Sequence, residues 1–456
     1  MPADVSTMPV SQKKDNIIIR KEKIMLSLKK CAAAIITLAL AITSAASCGG
    51  SNTQNATAAP ADTSASANSV TEKSTEAKSD NNSNTEAAPE DTSAPGEQTY
   101  APDSTNVKLI GRTITNNDVL WIAQSASGIE FTFKGTHASI DLKGDGSAFG
   151  SSDSQARFAV YVNGERKIDE MMDNFEKSVE VFSSDTPEDV TVKVVKLSES
   201  ANSSFGISGI NVTSENGISP TPEKDLKIEF IGDSITCGYG VDDENKDHHF
   251  STKTEDATKT YAYKTAEALD ADYSFVCYSG HGIVSGYSGD GKKVAEQLVP
   301  PVYEQFTKTY GSSSGLYDET TPWDFSSFVP DYIVINLGTN DISYVKDKEQ
   351  REEFIVGYID FLKQVRRCNP DSHIICALGT MGASLNSSVK KAMERYTEET
   401  GDTNVTYLAF SQQNGDKNGL AADWHPTEKT HAEAAERLTD HILALMNGES
   451  TEADAA

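Results

Sequence analysis

The stretch from Leu226 to Gly240, LKIEFIGDSITCGYG, constrains the fold of this chain more than any other. Leu226, Ile228 and Phe230 alternate with Lys227 and Glu229 ahead of Ile231, the two-residue period of a strand entering a sheet core. Gly232-Asp233-Ser234 then breaks the pattern. A glycine, a turn former and a hydroxyl directly after a buried strand, with a helix to follow, place the serine at the carboxyl edge of a parallel sheet. That edge is where α/β enzymes carry nucleophiles, and a helix start there adds free N–H groups and a positive dipole end. The plainer alternative is an ordinary strand-to-helix turn with Ser234 as its N-cap.

Beyond this stretch strands and helices alternate. Strands are predicted over Tyr273 to Cys277, Tyr332 to Leu337, His373 to Leu378 and Val405 to Ala409. Helices are predicted over Tyr261 to Leu269, Glu352 to Arg367, Ser388 to Tyr396 and Thr427 to Met446. Continuous apolar strands between helices mean a parallel sheet covered on both faces. Val241 to Lys259 and Gly289 to Phe328 read as long loops over the active face. Before the linker predicted over Glu215 to Lys224, the pattern is different. Short period-two runs, a hairpin signal at Asn163-Gly164 and no helical stretch predict a β-sandwich of about 110 residues. Trp121 near its start belongs to the core.

The amino-terminal part is not a packed domain. Residues 49–101 are Ser, Thr, Ala, Asn, Glu and Pro with almost no large apolar side chain, so they cannot offset the entropy of ordering and read as a disordered tether. Ahead of them, Lys29 and Lys30 precede an apolar run that ends in small residues before Cys48. This resembles a bacterial lipoprotein signal over residues 1–48, which would make Cys48 the lipidated first residue of an exported, cell-surface protein; without lipidation the protein would be secreted. Met25 is the more natural start of that signal. Residues 449–456 read as a disordered tail.

A formal net charge of −28 argues against nucleic acid and other polyanions as partners. The cysteines have no metal-ligand spacing, and Cys277 and Cys376 read as buried small hydrophobes; a Cys368–Cys376 bridge stays open.

The residues just after each strand carry the chemistry. Ser234 follows the first, Ser279-Gly280-His281-Gly282 the second and Gly338-Thr339-Asn340-Asp341 the third, while Asp423-Trp424-His425-Pro426 stands ahead of the last helix. Together they supply a nucleophile, backbone donors, an amide donor and an acid–base pair, the parts of acyl transfer. His425 can take the Ser234 proton and Asp423 can orient His425. The Ser234 N–H, a glycine N–H from Gly280 or Gly282, and the Asn340 amide can receive an oxyanion. His281 is a second, weaker base because no carboxylate stands near it in sequence. Taken singly, Asn340-Asp341 fits a plain turn and His425 a surface histidine; their joint occurrence in this order does not.

These four blocks resemble those of the SGNH, or GDSL, hydrolase superfamily over residues 226 to about 446. Gly232 to Gly240 with Asp423-Trp424-His425-Pro426, behind a small β-sandwich, are most similar to carbohydrate esterase family two, the acetylxylan esterase type. The resemblance implies a three-layer α/β parallel-sheet hydrolase domain over residues 225–448, preceded by an all-β, jelly-roll-like sandwich over 102–218. It makes Ser234 the nucleophile, with Asn340 and a glycine of the 280–282 block as oxyanion donors, Gly282 being preferred by the block alignment. It makes His425 and Asp423 the base and its partner. Some members use a backbone carbonyl in place of the acid, which leaves Asp423 the less secure of the two. Trp424 and Trp323 are candidate sugar platforms, against a packing role for each. Neither a metal nor a cofactor is expected.

The implied activity is removal of O-acetyl groups from xylan, glucomannan or their oligosaccharides by a monomeric, membrane-anchored enzyme. The alternatives are a lipase or general acyl esterase of the same fold, for which no apolar lining is visible in the loops, and a non-catalytic glycan-binding lipoprotein. A third places glycan binding in the β-sandwich itself.

Overall fold

Ile228, Phe230 and Ile231 are all fully buried although they point to both sides of their strand, so this sheet has no solvent face. In the computed structural model, which describes residues 96–449 except 312 and 314, that strand is β10 (Lys227–Gly232). It lies in a five-stranded parallel sheet with β11 (Asp272–Cys277), β12 (Tyr332–Asn336), β13 (His373–Thr380) and β14 (Val405–Gln412). The order is β11-β10-β12-β13-β14, so the chain reverses direction across the sheet at β10, the crevice where open α/β sheets bind ligands.

One face packs Ile231, Ile333, Ile335 and Ile374 against helices Lys348–Cys368 and Asn386–Thr400. The other packs Phe230, Phe275, Val334 and Ile375 against Tyr261–Ala268 and Glu428–Met446. The Lys348–Cys368 helix starts on a capping box formed by Asp347 and Gln350. It buries Phe354, Tyr358, Leu362 and Val365, one stripe at helical spacing. No helix among the described residues is long and apolar enough to cross a membrane.

Residues 98–220 form an antiparallel sheet whose described strands are β1 (Gln98–Tyr100), β2 (Lys108–Ile110), β3 (Thr113–Asn116), β4 (Val119–Ile122), β5 (Gly128–Gly144), β6 (Arg157–Val162), β7 (Glu165–Met171), β8 (Glu176–Lys196) and β9 (Phe205–Pro220). Where short runs were predicted, two of the strands are long, β5 and β8, kept continuous by register shifts at Gly135/His137 and Ala138/Ser139. The linker is also shorter than predicted. Ile218, Ser219 and Pro220 pair with Phe133, Thr132 and Phe131, because backbone pairing holds a polar segment in a strand without apolar alternation. Trp121 is in the core, 4% exposed.

Loop 289–328 does not cover the crevice as predicted. Arg112 of the β-domain, fully buried, donates to the carbonyls of Tyr303 (2.6 Å) and Gln305 (2.7 Å), and its guanidinium lies against the rings of Tyr303, Trp323 and Phe325. That loop therefore fills the seam between the two halves. Cys237, Cys277, Cys368 and Cys376 are free thiols, so Cys368 and Cys376 are not bridged. The signal, Cys48 and the tether up to residue 95 lie outside the described residues, as does the tail from residue 450; the end of the predicted tether is not disordered, since Gln98, Thr99 and Tyr100 pair with Val212, Asn211 and Ile210 as β1.

Candidate active site

Ser234 owes its place to the two residues before it. A Cβ on Gly232 would stand 2.0 Å from Thr236 Oγ1, so only glycine lets the chain turn this tightly out of β10. Asp233 is the N-cap of the short helix Ser234–Cys237, its carboxylate accepting the Ile235 N–H at 3.0 Å. Burial pushes the Asp233 carboxyl up to about 7.

Ser234 Oγ lies 2.9 Å from His425 Nε2. The other ring nitrogen, Nδ1, is 3.1 Å from the carbonyl oxygen of Ala422, not on the Asp423 carboxylate. Asp423 is engaged elsewhere: one oxygen receives the Tyr239 hydroxyl and the other lies 2.8 Å from His249 Nδ1. The reason is backbone geometry. Asp423 and Trp424 both adopt left-handed φ (48° and 65°), which turns the Asp423 side chain away from the ring two residues on. This costly loop is pinned by Ala421 N–H to His425 O, by Asp423 N–H to His248 O and by Gln413 Nε2 to Trp424 O. Gly240 completes it, since a Cβ there would meet the Ala422 Cβ at 2.6 Å.

The Tyr239 ring stacks on the His425 ring with centroids 3.9 Å apart. Buried beneath it, His425 is held neutral, its pKa pushed down to about 4 by loss of solvent. A neutral imidazole with Nδ1–H on a carbonyl leaves Nε2 free to accept the serine proton.

Of the two candidate glycines the structure separates Gly280 from Gly282. Gly282 N–H donates to the Gln297 carbonyl at 3.1 Å and is spent on the fold, whereas Gly280 lines the cleft with φ +75°. Asn340 also lines the cleft; its Nδ2 donates to the His281 carbonyl at 2.8 Å and lies 3.4 Å from Asp233 Oδ2. His281 does not line the cleft: it is buried with Nδ1 on the Ser279 carbonyl.

The cleft itself has a volume of about 580 Å³. Beside Ser234, Gly280, Asn340, Asp423, Trp424 and His425 it is lined by Tyr287 and by an apolar side of Ile342, Leu378, Met381 and Leu385. That apolar side was not visible in the loops, because its residues come from two separate segments, one after β12 and one at the end of β13 and beyond it. Trp424 and Tyr287 are exposed on the rim, with Lys246 Nζ over the Trp424 ring. Trp323 is not at the cleft but on Arg112 in the seam.

Sequence reasoning missed Asp341, which reads as a turn residue after Asn340. It is fully buried and accepts the N–H groups of Ile283, Val284 and Ser285 at 2.8 to 3.1 Å, tying the loop after β12 to the loop after β11. Burial pushes its carboxyl up to about 6. Tyr239 and Tyr287 were missed as well, since neither stands in a pattern that separates a site tyrosine from a packing one.

The GDSL-like lipase/acylhydrolase family matches residues 228–438, and the carbohydrate esterase 2 N-terminal domain matches residues 109–222. The chain is 32% identical over 324 residues to a cellulase/esterase, CelE, of Acetivibrio thermocellus, covering 70% of this chain and 37% of that protein. It is 26% identical over 358 residues to an acetylxylan esterase/glucomannan deacetylase of Cellvibrio japonicus, covering 76% of this chain and 91% of that one. The structure of a family two carbohydrate esterase from Clostridium thermocellum in complex with cellohexaose superposes with a TM-score of 0.65 and 30% identity, over 75% of this chain and 99% of that one. With both domains matched in order and a solved member aligned along nearly its whole length, the chain belongs to the family two carbohydrate esterases and is an esterase of the GDSL type.

Proposed function

We propose that this enzyme removes O-acetyl groups from plant cell-wall polysaccharides, xylan and glucomannan, or from their oligosaccharides, through an acetyl-enzyme. The observation that carries the reading is the 2.9 Å contact between Ser234 Oγ and a neutral, buried His425 at the floor of an open cleft. In acylation, His425 Nε2 takes the Ser234 proton while Oγ attacks the acetyl carbonyl carbon. The oxyanion is met by the N–H groups of Ser234 and Gly280 and by Asn340 Nδ2, which turns its second N–H from the long Asp233 contact. His425 then protonates the departing sugar oxygen. Water, deprotonated by His425, attacks the acetyl-enzyme, and acetate leaves as Ser234 recovers its proton. The Ala422 carbonyl fixes the tautomer throughout. Trp424 and Tyr287 on the rim offer rings to the sugar faces. The Cellvibrio relative, an acetylxylan esterase/glucomannan deacetylase, supports this substrate class. The sequence supports export and a lipid anchor at Cys48, with the enzyme acting as a monomer at the cell surface.

The apolar side of the cleft favours a second reading, an esterase for longer acyl chains. Acetate release from acetylated xylan and glucomannan, beside hydrolysis of p-nitrophenyl esters from acetate to octanoate, separates the two. The first reading requires rates that fall with acyl length, and a preference for octanoate would replace it. Ser234→Ala should lower either activity by about 10⁴–10⁶-fold. A variant that still releases acetate would sink the serine mechanism.

A further inference from the structure

The loop between β8 and β9, residues 197–204, belongs to the β-domain yet is almost wholly buried, which is unusual for a polar connection. Glu199, 2% exposed, is its one carboxylate. Its Oε2 accepts the Ser279 N–H at 2.7 Å, one peptide before Gly280, and lies 3.8 Å from the thiol of Cys237, which closes the nucleophile helix. Glu199 is itself held from both sides. Its N–H donates to Glu255 Oε2 at 2.9 Å, and Lys196, fully buried, donates from Nζ to the carbonyls of Ser198 (2.6 Å) and Glu199 (2.9 Å). Ala257 N–H donates to the Leu197 carbonyl and Tyr310 N–H to the Ala201 carbonyl, so the hydrolase domain grips the loop along its length.

Glu199, Cys237 and Glu255 stand close enough to suggest a cation site, but Glu199 and Glu255 each already accept a backbone N–H and the Lys196 ammonium supplies the positive charge. Their geometry has another use. The orientation of the 279–280 peptide decides whether the Gly280 N–H points into the cleft. Gly280 alone cannot hold it, since glycine is free to adopt several conformations.

We infer that Glu199 is a positioning residue for the esterase reaction, through which the β-domain sets the Gly280 N–H for the oxyanion. This rests on the reading of Ser234 and Gly280 given above. The β-domain is then part of the active site rather than a separate binding module. A group misplaced by about 1 Å can cost about 100-fold in rate, so the contact is large enough to matter.

The experiment measures kcat, KM and inhibition by methylboronic acid for the full chain carrying Glu199→Ala, Glu199→Asp or Glu199→Gln, beside Ser234→Ala. The boronate adduct of Ser234 places an oxygen where the oxyanion stands. Glu199→Ala should lower kcat by about 10–100-fold with KM changed less than about threefold, and should weaken boronate inhibition in proportion. Glu199→Asp withdraws the carboxylate by one methylene and should lose about tenfold, whereas Glu199→Gln keeps an oxygen for Ser279 and should recover most of kcat. If the alanine variant does not fold, the aspartate and glutamine pair decides. Wild-type kcat and boronate affinity in Glu199→Asp, or a loss confined to KM or thermal stability, would overturn the inference while inactive Ser234→Ala leaves the serine mechanism standing. Activity in Ser234→Ala would overturn both.

Discussion

Removing the Asp423 carboxylate tests how His425 is held. In an enzyme whose histidine is oriented by an acid, replacing that acid by its amide costs about 10⁴-fold in kcat, because the imidazole takes the wrong tautomer. Here Nδ1 already has an acceptor, the Ala422 carbonyl at 3.1 Å, which no side-chain substitution removes. What Asp423 supplies is charge. Its carboxylate raises the His425 pKa against the larger effect of burial, and it favours the imidazolium that forms as Ser234 attacks. Unit charges about 4 Å apart attract by about 4 kcal/mol at an effective permittivity near 20, an upper bound here because the Asp423 oxygens face Tyr239 and His249 rather than the His425 ring. The Asp423 side chain is 33% exposed and shares its charge with Tyr239 and His249, so solvent screening trims this to about 1–1.5 kcal/mol. Asp423→Asn should therefore lower kcat by about tenfold. The acid limb of the kcat/KM profile should also move to lower pH, since a group that raises the His425 pKa is gone. Initial rates of acetate release across pH 3.5 to 8, a range on the order of the relevant carboxylate and histidine pKa values, give both quantities. A loss of about 10³-fold or more would refute the reasoning and make Asp423 the orienting acid.

The wild-type pH profile is a second prediction: His425 acts as a base only when neutral, and its pKa near 4 keeps kcat/KM level from neutrality to about pH 5, with the fall below that. A midpoint between about 6 and 7 would mean that His425 is solvated in the working enzyme. Third, Asp341→Ala leaves three buried N–H groups without their acceptor, each worth about 1–3 kcal/mol, and after relaxation the unfolding free energy should drop by about 3–5 kcal/mol. Urea denaturation measures this, and Asp341→Asn, which keeps one oxygen, should lose roughly half as much; a drop below about 1 kcal/mol for the alanine variant would show that the 283–285 loop does not depend on it.

How much of this could be read from the sequence depended on whether the signal was local. β10 and the turn at Gly232-Asp233-Ser234 were legible because Leu226, Ile228 and Phe230 keep the two-residue period of a strand and a tight exit demands glycine. The strands after it and the helix stripes followed the same two periods. The β-domain was legible as all-β, but not the continuity of β5 and β8, since a bulge leaves no mark beyond a shift of register. The site was legible as a set of residues and not as a set of contacts. Gly282 fits the family spacing, yet its N–H is used by Gln297, and only the path of the 282–298 segment decides that. Asp423 stands two residues before His425 as an orienting acid would, yet left-handed backbone at Asp423 and Trp424 turns it towards Tyr239 and His249. Trp323 was indistinguishable from Trp424 by composition, and the buried Arg112 that claims it lies far away in sequence.

The same distinction explains why the two domains are joined by buried charge. Arg112 with Glu229, Arg166 with Asp256 and Lys196 with the Glu199 loop all cross or line the seam, and each charge would be expensive if its partner were missing. Apolar side chains of the same size would hold the domains together at least as well, so stability alone does not account for them. Hydrogen-bonded ions are directional, however, and they fix one relative placement where an apolar seam tolerates sliding. An oxyanion donor must be placed within a few tenths of an ångström, and the Tyr278–Ser279 peptide, one before the Gly280 N–H, is held by a carboxylate on the other domain. A seam that specifies position rather than adding stability is what a cleft assembled from two folding units requires.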